Sequence, residues 1–66
     1  MEIFLNGTST LIDASITLSQ MLKDLDIGAQ RFATLVNAEI IGKERREQCT
    51  LKPGDQVEII GFAEGG

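Results

Sequence analysis

Histidine, tryptophan and tyrosine are absent from this 66-residue chain, and cysteine and proline occur once each. Without histidine the chain lacks the usual general base near neutral pH and the commonest metal-binding nitrogen. A single cysteine, Cys49, excludes an internal disulfide and any multi-cysteine metal site. Self-contained catalysis is therefore disfavoured. Positive charge is scarce as well: six basic against ten acidic side chains give a formal charge of −4, the wrong sign for a main partner made of phosphate backbone. The apolar stretches fall far short of the roughly 20 residues needed to span a bilayer, and Met1 to Gly7 lack the basic start of a signal peptide. The reading is a soluble, cytoplasmic chain, and one free thiol agrees with a reducing compartment.

What is present is enough for one small domain over residues 1–66, with 42% of residues in the hydrophobic class. A chain of this length buries only about 60% of the surface it exposes when unfolded, so a compact, regular fold must supply its stability. Glu2-Ile3-Phe4-Leu5-Asn6 alternates in polarity and runs into the turn pair Asn6-Gly7, which predicts a strand, a tight hairpin and a return strand over Ser9 to Asp13. From Ile16 the period changes. Leu18, Met21, Leu22 and Leu25 recur at helical spacing. Thr17 and Gln20 form a reciprocal capping box, Ile16 can staple onto Met21, and Gly28 is expected as the left-handed residue that ends the helix.

Phe32 to Asn37 reads as a third strand, Asn37-Ala38-Glu39 as a turn and Ile40-Ile41 as a short fourth strand. Lys43 to Gln48 has no apolar residue and reads as a solvated connection able to hold a helical turn, its mixed charges a wet face in preference to a binding patch. Pro53-Gly54 occupies the centre of a type II turn, and Gln56 to Phe62 forms the last strand, with Val57 and Ile59 on one face and Glu58, Ile60 and Phe62 on the other. The order is ββαβββ. Two hairpins flanking a crossover helix, with a last strand left to pair, make an α+β fold: a mixed five-stranded sheet covered on one face by one helix, the β-grasp arrangement of ubiquitin-like proteins.

The chemistry points to the end of the sequence. Ala63-Glu64-Gly65-Gly66 reads either as a frayed end or as a flexible substrate arm. Two residues without Cβ allow close passage through a narrow channel, and four residues extend about 13 Å. Phe4, Ile60 and Phe62 would form an apolar patch beside the root of that arm if the first and last strands pair, joined by Leu35 or Val36; exposed patches of this kind mark partner surfaces, although scattered surface hydrophobics are also ordinary. Cys49 reads as a small buried hydrophobe at the entry to Leu51 rather than a nucleophile, since no histidine activates it and its basic neighbours are offset by Glu44 and Glu47. The carboxylate pairs Asp24 with Asp26 and Glu44 with Glu47 lack a cleft to perturb them, because a domain this thin is expected to offer no pocket of ligand size.

These residues resemble the ThiS family, the sulfur carriers of thiamin (thiazole) biosynthesis, over essentially the whole length. The resemblance rests on Ile3-Phe4-Leu5-Asn6-Gly7, the Thr17-Leu18 helix start with Leu22 and Leu25, Val36-Asn37 with Ile40-Ile41, Lys43-Glu44, the run from Pro53 to Ile59, and Gly65-Gly66. Gly42 stands where proline is common in the family, Lys43 where arginine is common, Arg46 where an aromatic is frequent, and Glu64 where a small or apolar residue often precedes the final pair. The resemblance implies a carrier that is not itself an enzyme. Its Gly66 carboxylate would be adenylated by a ThiF-type enzyme using ATP and Mg²⁺, and sulfur from a cysteine desulfurase or its relay would make Gly66 a thiocarboxylate. A ThiG-type thiazole synthase would take that sulfur. ATP and metal would be held by the partner, because this chain has no phosphate-cradling glycine loop and no metal-ligand cluster. A sulfur carrier for another acceptor, molybdopterin among them, and a ubiquitin-like binding module acting through its sheet face are the alternatives.

Overall fold

The computed structural model describes residues 1–27 and 32–61. Strands β1 (Glu2–Leu5) and β2 (Thr8–Leu11) are joined by Asn6 and Gly7, and β3 (Phe32–Val36) and β4 (Glu39–Ile41) by Asn37 and Ala38. Both linkers are two-residue turns with positive φ throughout, 50° and 83° in the first and 53° and 70° in the second. That is the type I′ geometry whose twist matches that of paired strands. Because the first turn takes only two residues, Leu5 pairs with Thr8, and the return strand begins and ends earlier than the Ser9 to Asp13 expected.

Strand β5 (Gln56–Gly61) enters the middle of the sheet, giving the order β2-β1-β5-β3-β4. It runs parallel to β1 and antiparallel to β3. The turn before it is the expected type II: Gly54 has φ 84°, and the Asp55 amide donates to the Lys52 carbonyl at 3.1 Å. One helix, α1 (Leu18–Asp24), connects the two hairpins and covers one face of this mixed sheet. The architecture is a β-grasp.

The helix begins as the sequence predicts and ends differently. Thr17 Oγ1 accepts from the Gln20 amide at 3.1 Å, but Gln20 does not reach back; its side-chain amide donates instead to Asp24 Oδ1, one turn on, at 2.8 Å. The Leu18 amide, one of the donors a helix start leaves without a partner, is met by the Cys49 carbonyl at 2.7 Å. At the other end Asp26 is left-handed, with φ 60°; Gly28, expected to end the helix, lies outside the described residues. The Asp26 amide donates to the Lys23 carbonyl and the Ile27 amide to the Leu22 carbonyl at 2.7 Å. This is a Schellman closure with aspartate in the place usually taken by glycine. It brings Ile27 back onto the core beneath Leu22, while Leu25, the fourth residue of the helical stripe, is left 36% exposed.

The core follows from the two periodicities. Ile3 and Val57 on the inner face of the sheet meet Leu18 and Met21 on the helix, with Leu51 closing the layer, and all five are essentially fully buried. Burial of each such side chain is worth about 1.5–3 kcal/mol. Thr34 and Asp55 are the buried polar residues among those described: the Thr34 hydroxyl donates to the Ile41 carbonyl at 2.8 Å, and the Asp55 carboxylate accepts from the Asn37 side chain and the Lys52 amide.

Candidate functional site

Function is expected at the last strand and at the residues beyond it, so the aim of β5 matters first. Its start is fixed by a polar knot: Asn37 Oδ1 accepts from the Gln56 amide at 2.9 Å, Asn37 Nδ2 donates to Asp55 Oδ1, and Asp55 Oδ2 accepts from the Lys52 amide. On one side the Phe4 and Asn6 amides donate to the Asp55 and Val57 carbonyls at 2.9 and 2.8 Å; on the other the Asn37 amide donates to the Gln56 carbonyl. Strand β1 stops at Leu5, and Asn6 completes the ladder by accepting from the Ile59 amide through its side chain at 2.9 Å. Successive residues of a strand face opposite neighbours, so beyond Ile59 the strand is held by β3 alone. Its last described residue, Gly61, lies opposite Phe32. Phe62, Glu64, Gly65 and Gly66 lie outside the described residues.

Alternation also sorts the faces. Val57 is buried while Glu58 and Ile60 are exposed, and on β3 Thr34 and Val36 point inward. Leu35, rather than Val36, therefore shares the outer face. Phe4 and Ile60 do lie on neighbouring strands, but Phe4 pairs with Gln56, four residues before Ile60. At roughly 3.3 Å per residue they stand about 13 Å apart along the strands, so they do not form one continuous patch. The residues beside Ile60 are Ala33, directly opposite, and Leu35, which lies between Glu58 and Ile40. Ile60 is 50% and Ile40 68% exposed. The outer face thus carries an apolar cluster of Ile60, Leu35 and Ile40 around the Glu58 carboxylate, next to the root of the tail. On the first hairpin Phe4 and Leu11 stand diagonally across the β1–β2 pair on the same face, Leu11 81% exposed. The sequence reading missed Ile40 and Leu11 because edge strands carry too few residues to show parity.

The segment Lys43–Gln48 is more than a wet connection. It forms a 3₁₀ helix packed beside α1, and Arg46 turns inward from it. The Arg46 Nε donates to Thr34 Oγ1 and its Nη2 to the Phe32 carbonyl, both at 3.2 Å, with the guanidinium 4.6 Å over the Phe32 ring. Strand β4 ends at Ile41, opposite Thr34, so the next carbonyl of β3 that faces that side, on Phe32, has no strand to pair with. Arg46 supplies the missing donor. Between this segment and α1 an open groove of about 540 Å³ has an apolar floor of Leu22, Ile27 and Phe32 under Lys23, Lys43 and Glu47, so the expectation of no ligand-sized depression is wrong. The 3₁₀ segment stands off α1 far enough to leave it.

Cys49 is half-buried, and burial, reinforced by Asp55 and Glu39 and opposed by Arg45, pushes its thiol above the ordinary range. That is the reverse of nucleophile activation. Among the described residues no group of three or more His, Cys, Asp or Glu side chains is placed to hold a metal ion, and no helix is long and apolar enough to cross a membrane.

Known proteins match this arrangement. A thiazole synthase of Paramagnetospirillum magneticum (strain ATCC 700264 / AMB-1) is 32% identical over 66 residues, which are all of this chain but only 20% of the length of that protein. The crystal structure of the thiamine biosynthesis protein ThiS from Geobacter metallireducens superposes with a TM-score of 0.87 at 29% identity, each chain covered completely. The solution structure of a thiamine biosynthesis protein from the same organism gives 0.80 at 28% identity, covering all of this chain and 88% of the other. The sequence profile of the ThiS family matches residues 3–66. With the profile matched over nearly the whole length, the chain belongs to the ThiS family.

Proposed function

We propose that this chain is a sulfur carrier of thiamin biosynthesis, a protein substrate and not an enzyme, whose reactive group is the Gly66 carboxylate. A carboxylate is inert to acyl transfer at neutral pH. A ThiF-type partner would activate it: the carboxylate oxygen attacks the α-phosphate of ATP, pyrophosphate leaves, and Gly66 becomes an acyl-adenylate. The terminal sulfur of a persulfide, from a cysteine desulfurase or a relay protein, then attacks the acyl carbon and AMP departs. Cleavage of the remaining S–S bond by a thiol leaves Gly66 as a thiocarboxylate. A thiocarboxylate is a good sulfur nucleophile, and a ThiG-type thiazole synthase is its acceptor. ATP and Mg²⁺ belong to the partner.

The observation that carries this reading is the family match running through Gly65 and Gly66, downstream of a strand whose start and register are fixed on both sides. The thiazole synthase resembling this whole chain over part of its own length supports the choice of acceptor. Glu64 and Gly65 would form the part of the arm that enters the enzyme, with a basic group of the partner matched to Glu64. The face around Ile60, with Phe62 beyond it and Phe4 at a distance, would be the docking surface. Intact-mass analysis after incubation with the adenylating enzyme, ATP and a persulfide donor should show one oxygen replaced by sulfur at the terminus. Absence of that change with a partner active on another carrier would refute the proposal, and transfer to a different acceptor but not to thiazole synthase would refute the pathway.

A further inference from the structure

Strand β5 reaches past the end of β1, so among the described residues its final ones are gripped only by β3, and the last described pair is Phe32 and Gly61. Phe32 is itself the first residue of β3, and β4 stops short of it. A strand end with an unpaired carbonyl on one side frays. One group prevents it: the Arg46 guanidinium bonds the Phe32 carbonyl and the Thr34 hydroxyl together and lies over the Phe32 ring. The planar fork spans both acceptors at once, and its stacking on the ring restricts rotation. Holding Phe32 holds the adjoining Ala33, whose partner Ile60 is the last described residue of β5 to face β3, and so steadies the strand end from which the tail continues.

We propose that Arg46 is a positioning residue for tail delivery, steadying the strand end from which the tail continues without touching the reacting carboxylate. The proposal rests on the carrier reading above. Its role is separate from docking, because Arg46 lies on the helix side of the sheet while the apolar cluster of Ile60, Leu35 and Ile40 faces the opposite way. Loss of the clamp should leave capture intact and misplace the carboxylate, and small misplacements of a reacting group can cost up to about a hundredfold in rate.

Arg46→Met keeps the apolar stem and removes the fork; Arg46→Lys keeps the charge; Ile3→Val lowers stability from the core, far from the tail. With the adenylating enzyme and ATP, pyrophosphate release on Arg46→Met should show kcat down by about tenfold and KM for the carrier within about twofold of wild type. Ile3→Val should keep the wild-type kcat, and Arg46→Lys should not recover it. In parallel, amide exchange at Ile60, whose N–H faces β3, should accelerate by about tenfold in Arg46→Met relative to Val57. An unchanged kcat in Arg46→Met, equal losses in Arg46→Met and Ile3→Val, or full recovery in Arg46→Lys would overturn the assignment. If the wild-type chain is not adenylated at all, the carrier reading fails instead, and the exchange measurement still decides whether Arg46 holds the strand end.

Discussion

Replacing Ala38 by glycine should make the domain more stable. Ala38 is the second residue of the β3–β4 turn and sits at φ 70°, where an L-residue costs about 1–2 kcal/mol through contact of its Cβ with the following carbonyl oxygen. Glycine removes that contact but gives the unfolded chain more freedom, which offsets about 0.4–1 kcal/mol. The net gain is about 0.5–1 kcal/mol. An unfolding entropy of about 2.1 cal/mol/K per residue makes this a rise in Tm of about 4–7 °C for a domain of this size. Thermal melting followed by far-ultraviolet circular dichroism, supported by urea titration at constant m-value, measures it directly. Asn37 must be kept, because its side chain ties β3 to the start of β5. An unchanged or lower Tm would refute the reasoning, since it would mean that the strain at Ala38 is absent or relieved elsewhere.

Ile60→Asp should raise the KM for the adenylating enzyme by about tenfold with little change in Tm, because the side chain is already half in water and faces away from the helix; unfolding of the variant would show that the outer face is not free. Phe4→Asp, about 13 Å away along the strands, should have a smaller effect on that KM in the same assay. Gly42 has φ −65° and ψ 157°, values proline adopts without strain, so Gly42→Pro should stabilise by about 0.4–1 kcal/mol in calorimetry. The contact to yield is the Glu44 carboxylate, 3.1 Å from the new Cβ and at the end of a flexible side chain; destabilisation would show that it cannot move. Burial holds Cys49 protonated, its folded pKa lying above its unfolded one, so its contribution to stability is complete below about pH 8.5 and is lost as pH rises through the folded value. Iodoacetamide should accordingly modify Cys49 more slowly at pH 8 than a small free thiol, with the pH profile displaced to the alkaline side; equal rates would contradict that direction.

The hairpins, the helix start and the final strand were legible because each depends on local rules: a turn pair that tolerates positive φ, an oxygen before the first helical turn, an alternation of two. Some features that escaped are contests between two local rules: the Gln20 side chain could bond back to the cap or forward to Asp24 one turn on, and it takes the second, while Asp26 turns left-handed without being glycine so that the Ile27 amide reaches Leu22. Others depend on distant partners. Arg46 sits in a run of charges that reads as solvated. Its inward turn follows from β4 ending before β3, which is a property of register. At the candidate site, alternation alone puts Phe4 and Ile60 on the outer face, while which residues adjoin Ile60 had to come from pairing, which chose Leu35 over Val36, added Ile40 and set Phe4 apart.

Strands β1 and β5 lie side by side and point the same way, so the amino end of one and the carboxyl end of the other leave the sheet in opposite directions. A pull between those two ends loads the bonds from Phe4 to Asp55 and from Asn6 to Val57 crosswise and together, like a lap joint, whereas a hairpin drawn from its open ends unzips bond after bond. With Met1 tethered, an enzyme that draws on the final residues therefore loads that seam in shear, its bonds sharing the force at once.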